Sequence, residues 1–134
     1  MKSLKSLKSL KWWIPCIAIA ALCVADSVTT IAVIKTGKGY EENFFVAPVI
    51  MNPYFHIFKL ALTISAVLFI HLVCKKTERP ELEFAGYTSM LVGYILVVTN
   101  NTLIYLNHMG LPLTFEQFAA LFFVIFFIAL ALAR

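Results

Sequence analysis

Residues 12–34 read WWIPCIAIAALCVADSVTTIAVI, an apolar run broken by a single charged side chain, Asp26. A helix needs ~20 predominantly apolar residues to cross the hydrocarbon core of a bilayer. A secretory signal carries an apolar stretch of only ~7–15 residues and ends at a small-residue cleavage site. This run is longer, and no convincing site follows it. We therefore read it as a retained first transmembrane helix with Trp12 and Trp13 at headgroup level.

The same pattern repeats outward from this run. Lys35 to Asn43 is polar, with Gly37 and Gly39 to stop the helix. Phe44 to Met51 is apolar but too short to cross, and it ends at Asn52-Pro53, a helix-start signal with proline at the first helical position. It is expected to be a short re-entrant or interfacial segment. The second span runs from Tyr54 to Cys74, followed by a charged turn from Lys75 to Glu83 containing Pro80. A third covers Phe84 to Leu106, and a short loop with Gly110 and Pro112 follows. The fourth starts at Thr114, where Thr114-x-x-Gln117 forms a capping box, and ends near Ala133. Short connections pack neighbouring helices antiparallel. The expected fold is all-α: a polytopic antiparallel bundle of four transmembrane helices (12–34, 54–74, 84–106, 114–133) forming one domain over 12–134.

Composition agrees. Hydrophobic residues make up 61% of the 134 residues and charged residues 13%, about half the charge of a soluble domain. A water-soluble fold of this size lacks the interior to hide so much apolar surface. The net charge of +4 flanks the apolar blocks, so it speaks for helix anchoring rather than nucleic acid. With the N-terminus inside, Lys2, Lys5, Lys8, Lys11, Lys75, Lys76, Arg79 and Arg134 share one side, against Lys35 and Lys38 on the other. The positive-inside rule then predicts a multi-pass cell-membrane protein with both termini cytoplasmic. Residues 1–11, a Lys-Ser-Leu repeat, read as a basic cytoplasmic segment able to lie on the membrane surface. Cys16, Cys23 and Cys74 have no paired or metal-ligand spacing and read as buried thiols.

Polar residues inside the spans are the informative ones. A charge at the bilayer centre costs ~2.5–3.5 kcal/mol on insertion scales, so such groups face the bundle and pair. At 1.5 Å per residue, Asp26 lies ~12 Å, Lys59 ~8 Å and Asn100 ~9 Å below the outer helix ends. Three helices thus bring polar groups to one level. Asp26, Thr29 and Thr30 share a side of the first helix; His56, Lys59 and Thr63 share one of the second. In the third, Gly86, Gly93 and Asn100 recur at heptad spacing, a seam of small residues that permits close approach. We predict an Asp26–Lys59 ion pair buttressed by Asn100 or Asn101, with Thr29 or Thr30 beside it. Its role is either to specify helix packing or to form a binding site. His56, Glu41, Glu42 and His108 have no metal-ligand spacing, so no metal is assigned; His71 reads as an interfacial residue. The fourth helix, from Phe118 on, has no polar side chain and suits lipid or a partner subunit.

Asp26-x-x-x-Thr30, Glu41-Glu-Asn43 and Lys59 together resemble a family of small prokaryotic membrane proteins known only as a domain of unknown function. The resemblance covers roughly residues 20–70; Phe44 stands where the family usually has proline. It implies no activity and leaves the cofactor unassigned. It does add Glu41 and Asn43 as residues expected to fold back toward the Asp26–Lys59 pair.

The reading with most support is a non-catalytic accessory or structural subunit of a larger membrane complex, its partners being the lipid bilayer and other membrane subunits or further copies of itself. A transporter, channel component or ligand-binding protein using the polar cluster is the alternative. An intramembrane enzyme is third, since no serine–histidine, HExxH or cysteine constellation is present.

Overall fold

The computed structural model describes residues 12–41, 45–107, 109–111 and 113–133. The basic segment 1–11, Glu42, Asn43, Phe44, His108, Pro112 and Arg134, all invoked above, lie outside the described residues. Among the described residues the protein is all-helical: α1 (Trp13–Lys35), α2 (Pro53–Thr77), α3 (Pro80–Tyr105) and α4 (Phe115–Leu132).

Local chemistry explains each boundary. Pro15 sits in the first turn of α1, where a missing N–H costs nothing because that donor has no intrahelical partner. At the other end Gly37 takes φ +67°. Its N–H bonds the Ile34 carbonyl (3.0 Å) and the Lys38 N–H bonds that of Val33 (3.1 Å), the paired bonds of a Schellman stop. The Asn52 side chain accepts from the Tyr54 N–H (3.0 Å), with Pro53 opening α2. The Thr114–Gln117 capping box opens α4, with both of its bonds present.

The connection between α2 and α3 differs from expectation. The stretch 75–83 is not one charged turn: α2 continues to Thr77 and α3 restarts at Pro80, leaving Glu78 and Arg79 between them. The charges themselves favour this. Lys75 and Lys76 lie in the last turn of α2, and Glu81 and Glu83 in the first turn of α3, each matched in sign to the helix dipole it meets. Hydrophobicity reports where the apolar block ends, whereas the helices run on past it. Residues 45–51 form a chain of turns, with Ile50 tucked inward and Phe45 and Met51 exposed.

Three helices, α1, α2 and α3, are long and apolar enough to cross a membrane, with mean hydropathies of 2.2, 2.2 and 1.4. Large apolar side chains also cover the outside, among them Ile17, Val28, Phe58, Leu62, Phe69, Phe123, Phe127 and Leu132. In water such a continuous apolar exterior would drive aggregation; in lipid it is the expected surface.

The third helix is central. It packs extensively on α1 and α4 and more sparingly on α2. The innermost side chains are Ile19 of α1 and Val67 of α2, both fully buried, with Tyr87 of α3. Gly86 lies against Ile70 of α2, and Gly93 against Phe122 of α4. The glycine seam therefore serves two different neighbours.

Candidate functional site

In the first helix, polar residues survive because the helix itself satisfies them. The Ser27 hydroxyl donates to the Cys23 carbonyl (3.1 Å) and Thr29 to that of Ala25 (2.9 Å), the back-bonding by which Ser and Thr enter apolar helices at low cost. For the Asp26 carboxylate the helix supplies only one donor, Thr30. Asp26 is buried and takes its partners from three helices.

Lys59 of α2 donates to Asp26 Oδ2, forming a direct ion pair. Thr30 donates to Asp26 Oδ1 (3.2 Å). Asn101 of α3 donates through Nδ2 to Thr30 Oγ1 (2.9 Å), Asp26 Oδ1 (3.3 Å) and Thr29 Oγ1 (3.4 Å). One amide thus fastens α3 to a single turn of α1. A charge pair out of water is tolerable only when its remaining lone pairs and protons are satisfied, and here the carboxylate is bonded from both oxygens.

Asn100 turns elsewhere. Its Oδ1 accepts the Leu111 N–H (2.7 Å) and lies 2.7 Å from where a Cβ on Gly110 would stand, so it holds the α3–α4 loop. Neighbours on a helix point about 100° apart, which is why one asparagine faces α1 and the next does not. Glu41 is half-buried within the α1–α2 connection; Asn43 is outside the described residues. His56 Nε2 lies 2.6 Å from the Ile50 carbonyl, whereas its Nδ1 is buried without a partner. This ties α2 to the turns before it. Among the described residues no three His, Cys, Asp or Glu side chains gather in a way that would hold a metal.

The α1–α2 connection docks on the C-terminal end of α3. Lys38 Nζ donates to the Tyr105 carbonyl (2.6 Å) and sits 4.9 Å above the Tyr105 ring centroid. A cation there answers the unpaired carbonyls and negative dipole at the end of α3.

Two further polar layers escaped the sequence reading. Thr63 of α2 lies 2.8 Å from the Tyr94 hydroxyl of α3 and 3.5 Å from Cys23 Sγ of α1. At the opposite end, His71 Nδ1 is 2.7 Å from Glu83 Oε1, which also accepts from the Tyr87 hydroxyl (2.9 Å). Trp12 stacks on the His71 ring with centroids 5.1 Å apart. His71 is thus a cross-helix residue rather than a merely interfacial one. The available signal was spacing: Glu83 and Tyr87 stand four apart on one helix face.

Beside these layers runs an open groove of about 740 Å³. Ala66 and Ile70 of α2 form one wall, Phe118, Phe122 and Phe126 of α4 the other, and Gly86, Ser89 and Gly93 of α3 the floor; Asp26 reaches its edge.

With this geometry in view, residues 17–107 match the family described as a domain of unknown function (DUF5658). The chain belongs to this family. The DUF5658 match covers most of α1 and all of α2 and α3 and ends before α4, so it contains all three polar layers. No curated protein and no solved structure matches the chain.

Proposed function

We propose that this protein is an accessory subunit of a larger membrane assembly, with its partner's transmembrane helix seated in the groove between α2 and α4. In this reading all four helices span the membrane as an antiparallel bundle, residues 45–51 lie at the interface, and both termini face the cytoplasm. The lysine and arginine distribution supports that orientation. The groove carries the proposal: it is open between α2 and α4, and its floor is built from Gly86, Ser89 and Gly93. In lipid, helices associate by close van der Waals packing, and small residues allow the backbones to approach. The aromatic wall of α4 offers broad apolar contact to such a helix.

The test is a photo-reactive phenylalanine analogue at Phe123, a wall residue 61% exposed, in the protein expressed in its native membrane. The expected result is a cross-link to a transmembrane segment of another protein, lost when Gly93→Leu fills the floor. Cross-linking only to a second copy would replace the heteromeric reading with a homo-oligomer. A lone monomer by native mass measurement, with no cross-link, would end the subunit reading.

A second reading draws on Asp26 at the groove's edge. An apolar cleft of several hundred Å³ with one oriented polar group is also the usual form of a small-molecule site. A ligand-binding or transport role would then place the apolar body of an amphiphile in the groove and its polar end at Asp26. Competition by such a ligand with the Phe123 cross-link would favour it.

A further inference from the structure

The three polar layers stand in one column between α1, α2 and α3. The outer layer holds Asp26 and Lys59, and the middle layer Cys23, Thr63 and Tyr94. These two are one helical turn apart, since Lys59 to Thr63 and Cys23 to Asp26 are rises of ~6 Å and ~4.5 Å. The inner layer holds His71, Glu83 and Tyr87. It lies farther off, ~10 Å from Tyr94 to Tyr87 along α3. A single apolar layer fills that interval. Ile19 and Val67, each 0% exposed, are its centre, and Met90 and Leu91 pack against it.

Structural packing alone explains neither the composition nor the order of these layers. One buried polar residue suffices to specify register, whereas this column carries three polar layers. Here carboxylates stand on either side of one thin apolar barrier, with the Thr63–Tyr94 hydroxyl pair one turn in from Asp26 and the Tyr87 hydroxyl on Glu83 beyond the barrier, and hydroxyls can both donate and accept. Chains of Asp, Glu and His across a membrane are the usual elements of proton relays, and apolar constrictions are the usual gates.

We propose that this column is a gated proton route, with Asp26 and Glu83 as its proton-binding carboxylates and Ile19 and Val67 as its gate. A proton arriving from outside binds the Asp26 carboxylate, which becomes a neutral acid and releases the Lys59 ammonium from its pair. On leaving, the proton passes through water admitted across that one-turn interval to the Thr63–Tyr94 hydroxyls, each of which accepts one proton and gives up another. When Ile19 and Val67 part enough to admit water, the proton crosses to Glu83, with His71 as the next acceptor. Asp26 recovers its charge and its pair with Lys59. No bond is left altered, and the net event is one positive charge moved down the membrane's own electrochemical gradient.

The experiment uses the full chain, purified and reconstituted in liposomes with a trapped pH-sensitive dye, and a potassium diffusion potential set by valinomycin as the driving force. Val67→Ser, which wets the gate, is expected to conduct protons roughly tenfold faster than the unaltered chain. Adding Glu83→Gln, whose amide still accepts from Tyr87, should return the flux to that of protein-free vesicles. Ile19→Ala serves as an independent opening variant should Val67→Ser fail to give a helical, monodisperse protein. Two results overturn the proposal: neither opening variant exceeds protein-free vesicles, or their flux survives Glu83→Gln, which would mark a non-specific leak. Flux is read on the isolated chain and partner capture in the native membrane, so this test and that of the subunit reading fail separately.

Discussion

Helices α1–α3 and helix α4 are held by different forces. The first three are cross-tied by directed polar contacts: Lys59 to Asp26, Asn101 to Thr30, Thr63 to Tyr94 and His71 to Glu83. Among the described residues α4 makes no side-chain hydrogen bond to another helix; its polar side chains close its own capping box. It meets α3 through apolar packing, with Phe122 over Gly93. Lipid competes with Phe and Leu for apolar contacts but offers nothing to a buried carboxylate. The polar unit is therefore fixed in register, while α4 is attached, among the described residues, by undirected apolar contacts alone. The family match ends at the same boundary.

The largest expected effect breaks the polar unit. Lys59→Met leaves a buried carboxylate without its counter-charge and should cost about 3–5 kcal/mol, measured by unfolding in mixed micelles of increasing denaturing detergent. Asp26→Asn with Lys59→Met should recover most of the loss, because no uncompensated charge remains. If the double variant is no better than the single one, the pair is not what ties α1 to α2.

Asn101→Leu comes next. It removes the donor shared by Thr30, Thr29 and Asp26 and should cost about 1–3 kcal/mol in the same assay. Asn100→Leu should instead loosen the α3–α4 loop, seen as faster proteolysis near Gly110, with little effect on the three-helix unit. Exchanged outcomes would show that the neighbouring asparagines have exchanged roles.

Phe122→Ala tests the other side of the comparison. It should weaken α4 on α3 by on the order of 1 kcal/mol, since lipid refills the contact. The readout is a cysteine cross-link between α3 and α4, which should fall while stability of the Asp26–Lys59 unit stays the same. Smallest of all is Gly93→Ala, whose added methyl would rest 3.6 Å from Phe122, an ordinary contact. A change within ~0.5 kcal/mol is expected; a larger loss would mean that α4 approaches α3 as tightly as the polar helices approach one another.

Much of this was legible from residues alone. Asn52-Pro53, Gly37 and Thr114-x-x-Gln117 mark helix ends because capping is a local matter of a few hydrogen bonds. The 75–83 stretch was less legible, because charge signals the end of the apolar block and not the end of the helix. Asp26 and Lys59 stood out because each is costly in lipid and depth put them at one level. Thr63 and Tyr94 carry no such charge signal, and Glu83 falls in the charged stretch where its cost in lipid is not felt. A tyrosine or threonine is at ease at many places in a helix, so its partner is known only once the helices are placed.

The sequence by itself determined that this chain has apolar helices of membrane-crossing length, where most of them stop, and that Asp26 and Lys59 require partners. These follow from solvation and backbone chemistry, which act within one helix. Only the tertiary structure decided that Asn101 rather than Asn100 joins the pair, that the glycines serve α2 and α4 in turn, and that the polar residues form three layers with Ile19 and Val67 between them. Those facts depend on the rotation of each helix about its axis. Rotation is set by packing among several helices at once, which no single stretch of sequence contains.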